Sequence, residues 1–161
     1  MKRATVFVLA LLIAGAAIWQ LERQRAGLEI TTHHVGETPV TRYREADADG
    51  PVVVVAHGFA GSRQMMQAYS TDLARAGYRV WAFDFEGHGR HPQPMSGDVD
   101  SLDGTTRMLV EQTRDVVATA QSTEGWDGKV ALLGHSMATD IIIRTALADD
   151  SVGPLVAISA F

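Results

Sequence analysis

The chain has 161 residues, 46% of them hydrophobic and 20% charged, with no cysteine and a formal net charge of −5. That length supports one domain with a real core and hardly two, and the composition is that of a globular chain. The acidic balance without a long basic run argues against a nucleic-acid partner, and the missing cysteines exclude disulfides and thiolate metal sites.

The N-terminus differs from the rest. Lys2 and Arg3 are basic, and residues 4–19 carry no charge. Extended through Leu21, this run just reaches the 17–25 apolar residues, roughly, that a membrane-spanning helix needs. Residues 1–21 are therefore expected to be an uncleaved signal anchor with Trp19 at the interface. The competing readings are a cleaved signal, since Ala14-Gly15-Ala16 resembles a small-residue cleavage site, and a buried soluble helix. Lys2 and Arg3 favour a cytoplasmic N-terminus and so an extracytoplasmic remainder, although Arg23 and Arg25 oppose them from the other end.

Residues 22–27 read as a short polar linker. Residues 28–35 and 40–44 read as strands, with the turn at residues 36–39. Residues 52–56 are a continuous apolar run, the mark of a strand buried on both faces. Ser62 is expected to cap a helix that runs to about Ala76 and ends at Gly77. Residues 78–83 form the next buried strand, and residues 85–101 a Gly/His/Pro loop. A long helix is expected from Leu102 to about Thr123, with Leu109, Thr113, Val116 and Ala120 on one face. Residues 129–133 then read as a strand, 137–148 as a helix and 155–159 as a last strand. This alternation implies an α/β fold, a mostly parallel sheet with helices on both faces.

The most informative stretch is Gly134-His135-Ser136-Met137-Ala138. A serine between small residues at a sharp strand-to-helix junction has the layout of a nucleophile elbow. Gly134 and Ala138 leave room for the turn, and the following helix N-terminus favours a developing oxyanion. Two more motifs end strands: His57-Gly58-Phe59-Ala60-Gly61-Ser62 and Asp84-Phe85-Glu86-Gly87-His88-Gly89-Arg90. In this order and at these strand ends, the three resemble the α/β-hydrolase family over roughly residues 28–161. Ala138 stands where the family elbow has its last glycine.

The resemblance implies a serine hydrolase acting on an ester or another small acyl compound, with no cofactor. Ser136 would be the nucleophile, and the backbone N–H groups of Phe59 and Met137 the oxyanion hole. His57 and Gly58 would shape the oxyanion loop, with His57 not the base, and Gly134 and Ala138 would shape the elbow. The implied strand order is 1-2-4-3-5-6.

Other groups read as structural. His33 and His34, adjacent on a strand, must face opposite ways and cannot share a metal. Asp98, Asp100 and Asp103 fail the calcium-loop spacing, and Gly87-x-Gly89 lacks the third glycine of a dinucleotide fingerprint. Asp84 is expected to brace the turn that follows it. A triad needs an acid and then a histidine after the serine. No histidine follows His135, and Asp140, Asp149 and Asp150 come too early. The expectation is thus a partial hydrolase domain, truncated after the sixth strand and inactive alone. The alternative is a non-catalytic, membrane-tethered interaction domain.

Overall fold

A computed structural model describes residues 2–96 and 104–159. The elements are α1 (Lys2–Arg25), β1 (Leu28–Val35), β2 (Thr38–Glu45), β3 (Val52–Ala56), α2 (Gln67–Arg75), β4 (Arg79–Phe83), α3 (Gly104–Glu124), β5 (Val130–His135), α4 (Met137–Ala148) and β6 (Val152–Ile158). They build a six-stranded sheet in the order β1-β2-β4-β3-β5-β6, as the resemblance implied. The β1–β2 and β2–β4 pairs are antiparallel; β4, β3, β5 and β6 are mutually parallel.

The pleat divides the core in two. Val52, Val54 and Ala56 face α3 and α4, packing with Phe83, Leu132, Val116 and Ile142. Val53 and Val55 point to the other side, with Tyr43, Val80, Leu133, Met66 and Ala74 of α2. Each such Val or Leu contributes about 1.5–3 kcal/mol on burial. Two helices end in Schellman geometry. Gly77 and Gly125 have positive φ, and the amides of Tyr78 and Trp126 reach back to the carbonyls of Leu73 and Gln121. At the end of α3 the buried Glu124 carboxylate accepts from Arg42 (2.7 Å) and from Trp81 Nε1 (2.8 Å), clamping the helix to β2 and β4.

Several boundaries differ from the sequence reading. Ser62 does not cap a helix. The segment after β3 makes tight turns, with the amides of Met65, Met66 and Gln67 bonding three residues back, and α2 starts only after Met66. Arg63 is pulled away by its own bonds to Asp84 and Thr41, which keep this stretch off an α-helical path. The turn between β1 and β2 contracts to Gly36 and Glu37, and Pro39 pairs within β2 opposite His34. Strand β6 begins at Val152 and carries Pro154 next to a register irregularity, where a missing N–H is tolerated on an edge strand. Residues 22–25 continue α1 as helix. The expected start of α3 at Leu102, and Asp98, Asp100 and Asp103, lie outside the described residues.

Candidate active site

The C-terminal ends of β3, β4 and β5 lie side by side, so the three motif loops meet at one end of the sheet. Ser136 sits where β5 passes into α4, at φ 52° and ψ −118°. Positive φ in a non-glycine residue costs about 1–3 kcal/mol and persists only where its surroundings impose it. Here they do. The Ser136 amide donates to the Ile158 carbonyl of β6 (2.8 Å), and its own carbonyl accepts from the Thr139 amide (2.8 Å) and hydroxyl (2.7 Å). The side chain makes no capping hydrogen bond to the helix.

The small residues are required by contact. A Cβ on Gly134 would stand 2.6 Å from the Ala138 carbonyl oxygen, inside any real contact distance. A Cβ on Gly58 would meet Ser136 Cβ at 3.1 Å and His135 Nδ1 at 2.9 Å, so the loop after β3 lies directly against the elbow. Ala138, fully buried, packs in the core below the turn. Gly134→Val is expected to force β5 and α4 apart, costing about 1–3 kcal/mol as overpacking does. Chemical denaturation, together with probe labelling of Ser136, checks this: an unchanged midpoint with intact labelling would contradict it.

The loop after β3 turns tightly. The Gly61 amide bonds to the Gly58 carbonyl (3.0 Å), with Ala60 at φ 53° as a type II turn requires at its third position. Phe59 stands at the tip with its side chain exposed. Among the described residues, neither the Phe59 nor the Met137 amide has a hydrogen-bond acceptor.

His57 lies buried under this turn. Its Nε2 accepts from the Phe85 amide (3.1 Å), so Nδ1 carries the proton and donates to the Gly58 carbonyl (2.7 Å). Burial holds its pKa below the ordinary histidine value, against the opposing effects of the Gly58 carbonyl and the Asp84 charge. Both ring nitrogens are committed to joining the β3 and β4 loops. The folded chain therefore holds His57 neutral at neutral pH. Below about pH 6.5, the ordinary histidine value, the unfolded chain takes up a proton that the folded chain refuses, so stability falls with falling pH. Thermal unfolding between pH 7.5 and 5 should show this slope, and His57→Asn should flatten it. An identical slope in the variant would remove His57 as its source.

Asp84 does more than brace one turn. It is fully buried, forms an ion pair with the Arg63 guanidinium, and accepts from the Arg63 amide (2.6 Å) and the Arg90 amide (2.9 Å). One carboxylate thereby holds the loop after β3 and the loop after β4. A Cβ on Gly89 would strike it, which accounts for that glycine in Gly-His-Gly. His88 rests against both His57 and Phe59.

Beside the elbow is a cavity of about 250 Å³ lined by Phe59, Met65, Met66, Tyr69 and His135 together with the loop backbone. Arg63, Thr139 and Tyr69 were not singled out by sequence reading. Only Arg63 had a detectable signal, as the one Lys, Arg, Asp or Glu in the connection between β3 and α2. Among the described residues no group of acidic, histidine or cysteine side chains could hold a metal.

Known proteins show the same framework. A family model described as Serine aminopeptidase, S33 (Hydrolase_4) matches residues 48–161. An Escherichia coli relative, an uncharacterized 31.7 kDa protein in the traX-finO intergenic region, is 26% identical over 143 residues, 83% of this chain and 46% of that protein. The crystal structure of a membrane phospholipase A, a bacterial virulence factor, superposes with a TM-score of 0.66 at 21% identity, covering 100% of this chain and 53% of that one. The thioesterase domain from the curacin biosynthetic pathway gives 0.62 at 24% identity, covering 83% and 46%. The chain thus spans about half the length of the proteins it matches. From the family match over residues 48–161 and the shared sheet, this chain belongs to the α/β-hydrolase superfamily, in its serine aminopeptidase S33 family.

Proposed function

We propose that this chain carries the nucleophile and oxyanion hole of a serine hydrolase acting on an ester or another small acyl compound. The observation that carries the reading is Ser136, held at φ 52° on the strand-to-helix junction with no side-chain capping bond, beside two amides that have no acceptor among the described residues. Ser136 Oγ attacks the acyl carbon, and its proton passes to a general base. The carbonyl oxygen becomes an oxyanion that accepts from the Phe59 and Met137 amides. The bond to the leaving group then breaks, and the leaving alcohol, thiol or amine departs with the proton. Water hydrolyses the acyl-serine and restores Ser136.

His57 is not that base in this reading, because both its nitrogens are already bonded. The base is a histidine outside these 161 residues, consistent with relatives about twice as long. A serine at the elbow also argues against the carboxylate-nucleophile members of the superfamily. The phospholipase and thioesterase named above both act on acyl compounds, which supports the acyl assignment.

We also read α1 as a single-pass anchor. It is long and apolar enough to cross a membrane, and none of its apolar stretch is buried against the rest of the chain.

A fluorophosphonate probe applied to the full-length protein tests the proposal. The labelled peptide should contain Ser136. A probe adduct on any other residue, or none, would overturn it.

A further inference from the structure

We infer that two copies of this chain pair through the free edge of β1. They run antiparallel about a two-fold axis perpendicular to the sheet, so that their two six-stranded sheets continue as one. The inference does not depend on the hydrolase reading.

Strand β1 ends the sheet, at the edge opposite β6. A strand in that position offers a row of unpaired N–H and C=O groups, and chains commonly blunt it with lysine, proline, a bulge or a covering element. Strand β6 has such devices, Pro154 and a register irregularity. Strand β1 has neither. Residues 28–35 contain no lysine, arginine, proline or glycine, and their pairing with β2 is unbroken over all eight residues. Glu29 and residues 31–34 are exposed. Ile30, Thr31, Thr32 and Val35 are β-branched and suit an extended strand, and Glu29 is its one carboxylate.

The hairpin fixes which main-chain groups are free. Gly36 and Glu37 form a two-residue turn, so Val35 and Thr38 flank it as a hydrogen-bonded pair, and such pairs alternate along an antiparallel ladder. Glu29, Thr31, His33 and Val35 therefore direct their main-chain bonds to β2. Leu28, Ile30, Thr32 and His34 point theirs outward.

A two-fold axis through Thr31 uses all of these outward groups. It sets Leu28 against His34 of the second copy and Ile30 against Thr32 of the second copy, in pairs that exchange both main-chain bonds. Between them Thr31 faces its own counterpart, and Glu29 faces His33 of the second copy. These are the closely spaced positions, with Cα atoms about 4.5 Å apart, where opposed side chains touch. Glu29 accepts from Arg44 Nε through one carboxylate oxygen (2.9 Å), which leaves the other for the second copy. The His33 ring stacks on Trp81 (centroids 6.4 Å apart) and bonds the Thr31 hydroxyl through Nε2 (2.8 Å), which leaves Nδ1. A carboxylate thus meets an imidazole on each side of the axis, and no like charges oppose. Moving the axis to Thr32 sets Leu28 against the turn at Gly36, and moving it to Ile30 sets His34 against Ala26. Either shift also separates Glu29 from His33.

The chain has no cysteine, so single substitutions report positions directly. At Thr31 the axis brings two Cα atoms to about 4.5 Å, within the reach of a disulfide. At Thr32 the counterpart is displaced by two residues along the strand, beyond the roughly 7 Å that a disulfide can bridge. Full-length Thr31→Cys should therefore cross-link to a dimer under mild oxidation about tenfold faster than Thr32→Cys. Thr32→Pro removes an outward N–H and leaves the β2 ladder intact. It should lower the mass found by analytical ultracentrifugation in detergent from dimer to monomer, with an unchanged far-UV circular dichroism spectrum. Cross-linking at 32 as fast as at 31, or a folded Thr32→Pro protein that stays dimeric, would overturn the pairing. A monomeric parent would overturn it as well and leave the edge to a strand from a different protein. Should Thr32→Pro fail to fold, the two cysteine variants still decide.

Discussion

Ser136→Ala in the full-length protein is expected to lower kcat for an acyl substrate by about 10⁴–10⁶-fold, the scale seen when a nucleophile is removed from a hydrolytic triad. That corresponds to about 5–8 kcal/mol of transition-state stabilisation. The fold should be untouched, because the Ser136 side chain makes no capping bond and the strained backbone is held by its amide and carbonyl. The variant should unfold within about 1 kcal/mol of the parent, since alanine tolerates the positive φ no better and no worse than serine. KM should change little, because Oγ contributes mainly in the transition state. Steady-state kinetics with active-site titration decides the matter. Residual turnover above one part in a thousand would show that another group does the chemistry.

Asp84→Ala should produce the largest loss of stability in the chain. The carboxylate is fully buried and its partner Arg63 is only 5% exposed. Removing it leaves a guanidinium without a counter-charge in the interior, a defect worth about 3–5 kcal/mol. Two amides, of Arg63 and Arg90, lose their acceptor as well. Against a total stability of about 5–15 kcal/mol, this brings the domain close to unfolding. Asp84→Asn should be milder, because its amide oxygen still accepts one of those N–H groups. Combining Asp84→Asn with Arg63→Met should cost less than the sum of the single changes, since both charges then leave together. Urea unfolding of the full-length variants measures all three. An Asp84→Ala midpoint near the parent value would show that the ion pair contributes little. Because Asp84 joins the loops after β3 and β4, even a folded Asp84→Ala protein should label slowly at Ser136.

These two residues illustrate how unevenly the molecule can be read from its sequence. The position of the proposed nucleophile is written locally. Gly134, Ser136 and Ala138 occupy one sharp turn between an apolar run and a helical pattern, and the turn excludes bulky neighbours whatever surrounds it. The buried strands are local as well: β3 is an unbroken apolar run, β4 is apolar after Arg79, and both are buried at every position. The strand order came from resemblance to a known family, because periodicity shows which face a residue uses and not which strand it neighbours.

What the sequence by itself determined is therefore the identity and type of the elements that carry the motifs, and the spacing of the small residues at the elbow. Tertiary structure decided the rest. Arg63 and Asp84 stand 21 positions apart and meet only because β3 and β4 pair in parallel and end together. That meeting shifts the start of α2 from Ser62 to Gln67, overriding the local capping preference of serine. His57 acquires its two partners and its lowered pKa from the β4 loop and its own turn, neither of which its neighbours in the chain announce. The placement of the last turn of α1 likewise depends on Arg75 reaching carbonyls some fifty residues away. Helix and strand periods record which face of an element is apolar; contacts between loops depend on distances that exist only once the sheet has formed.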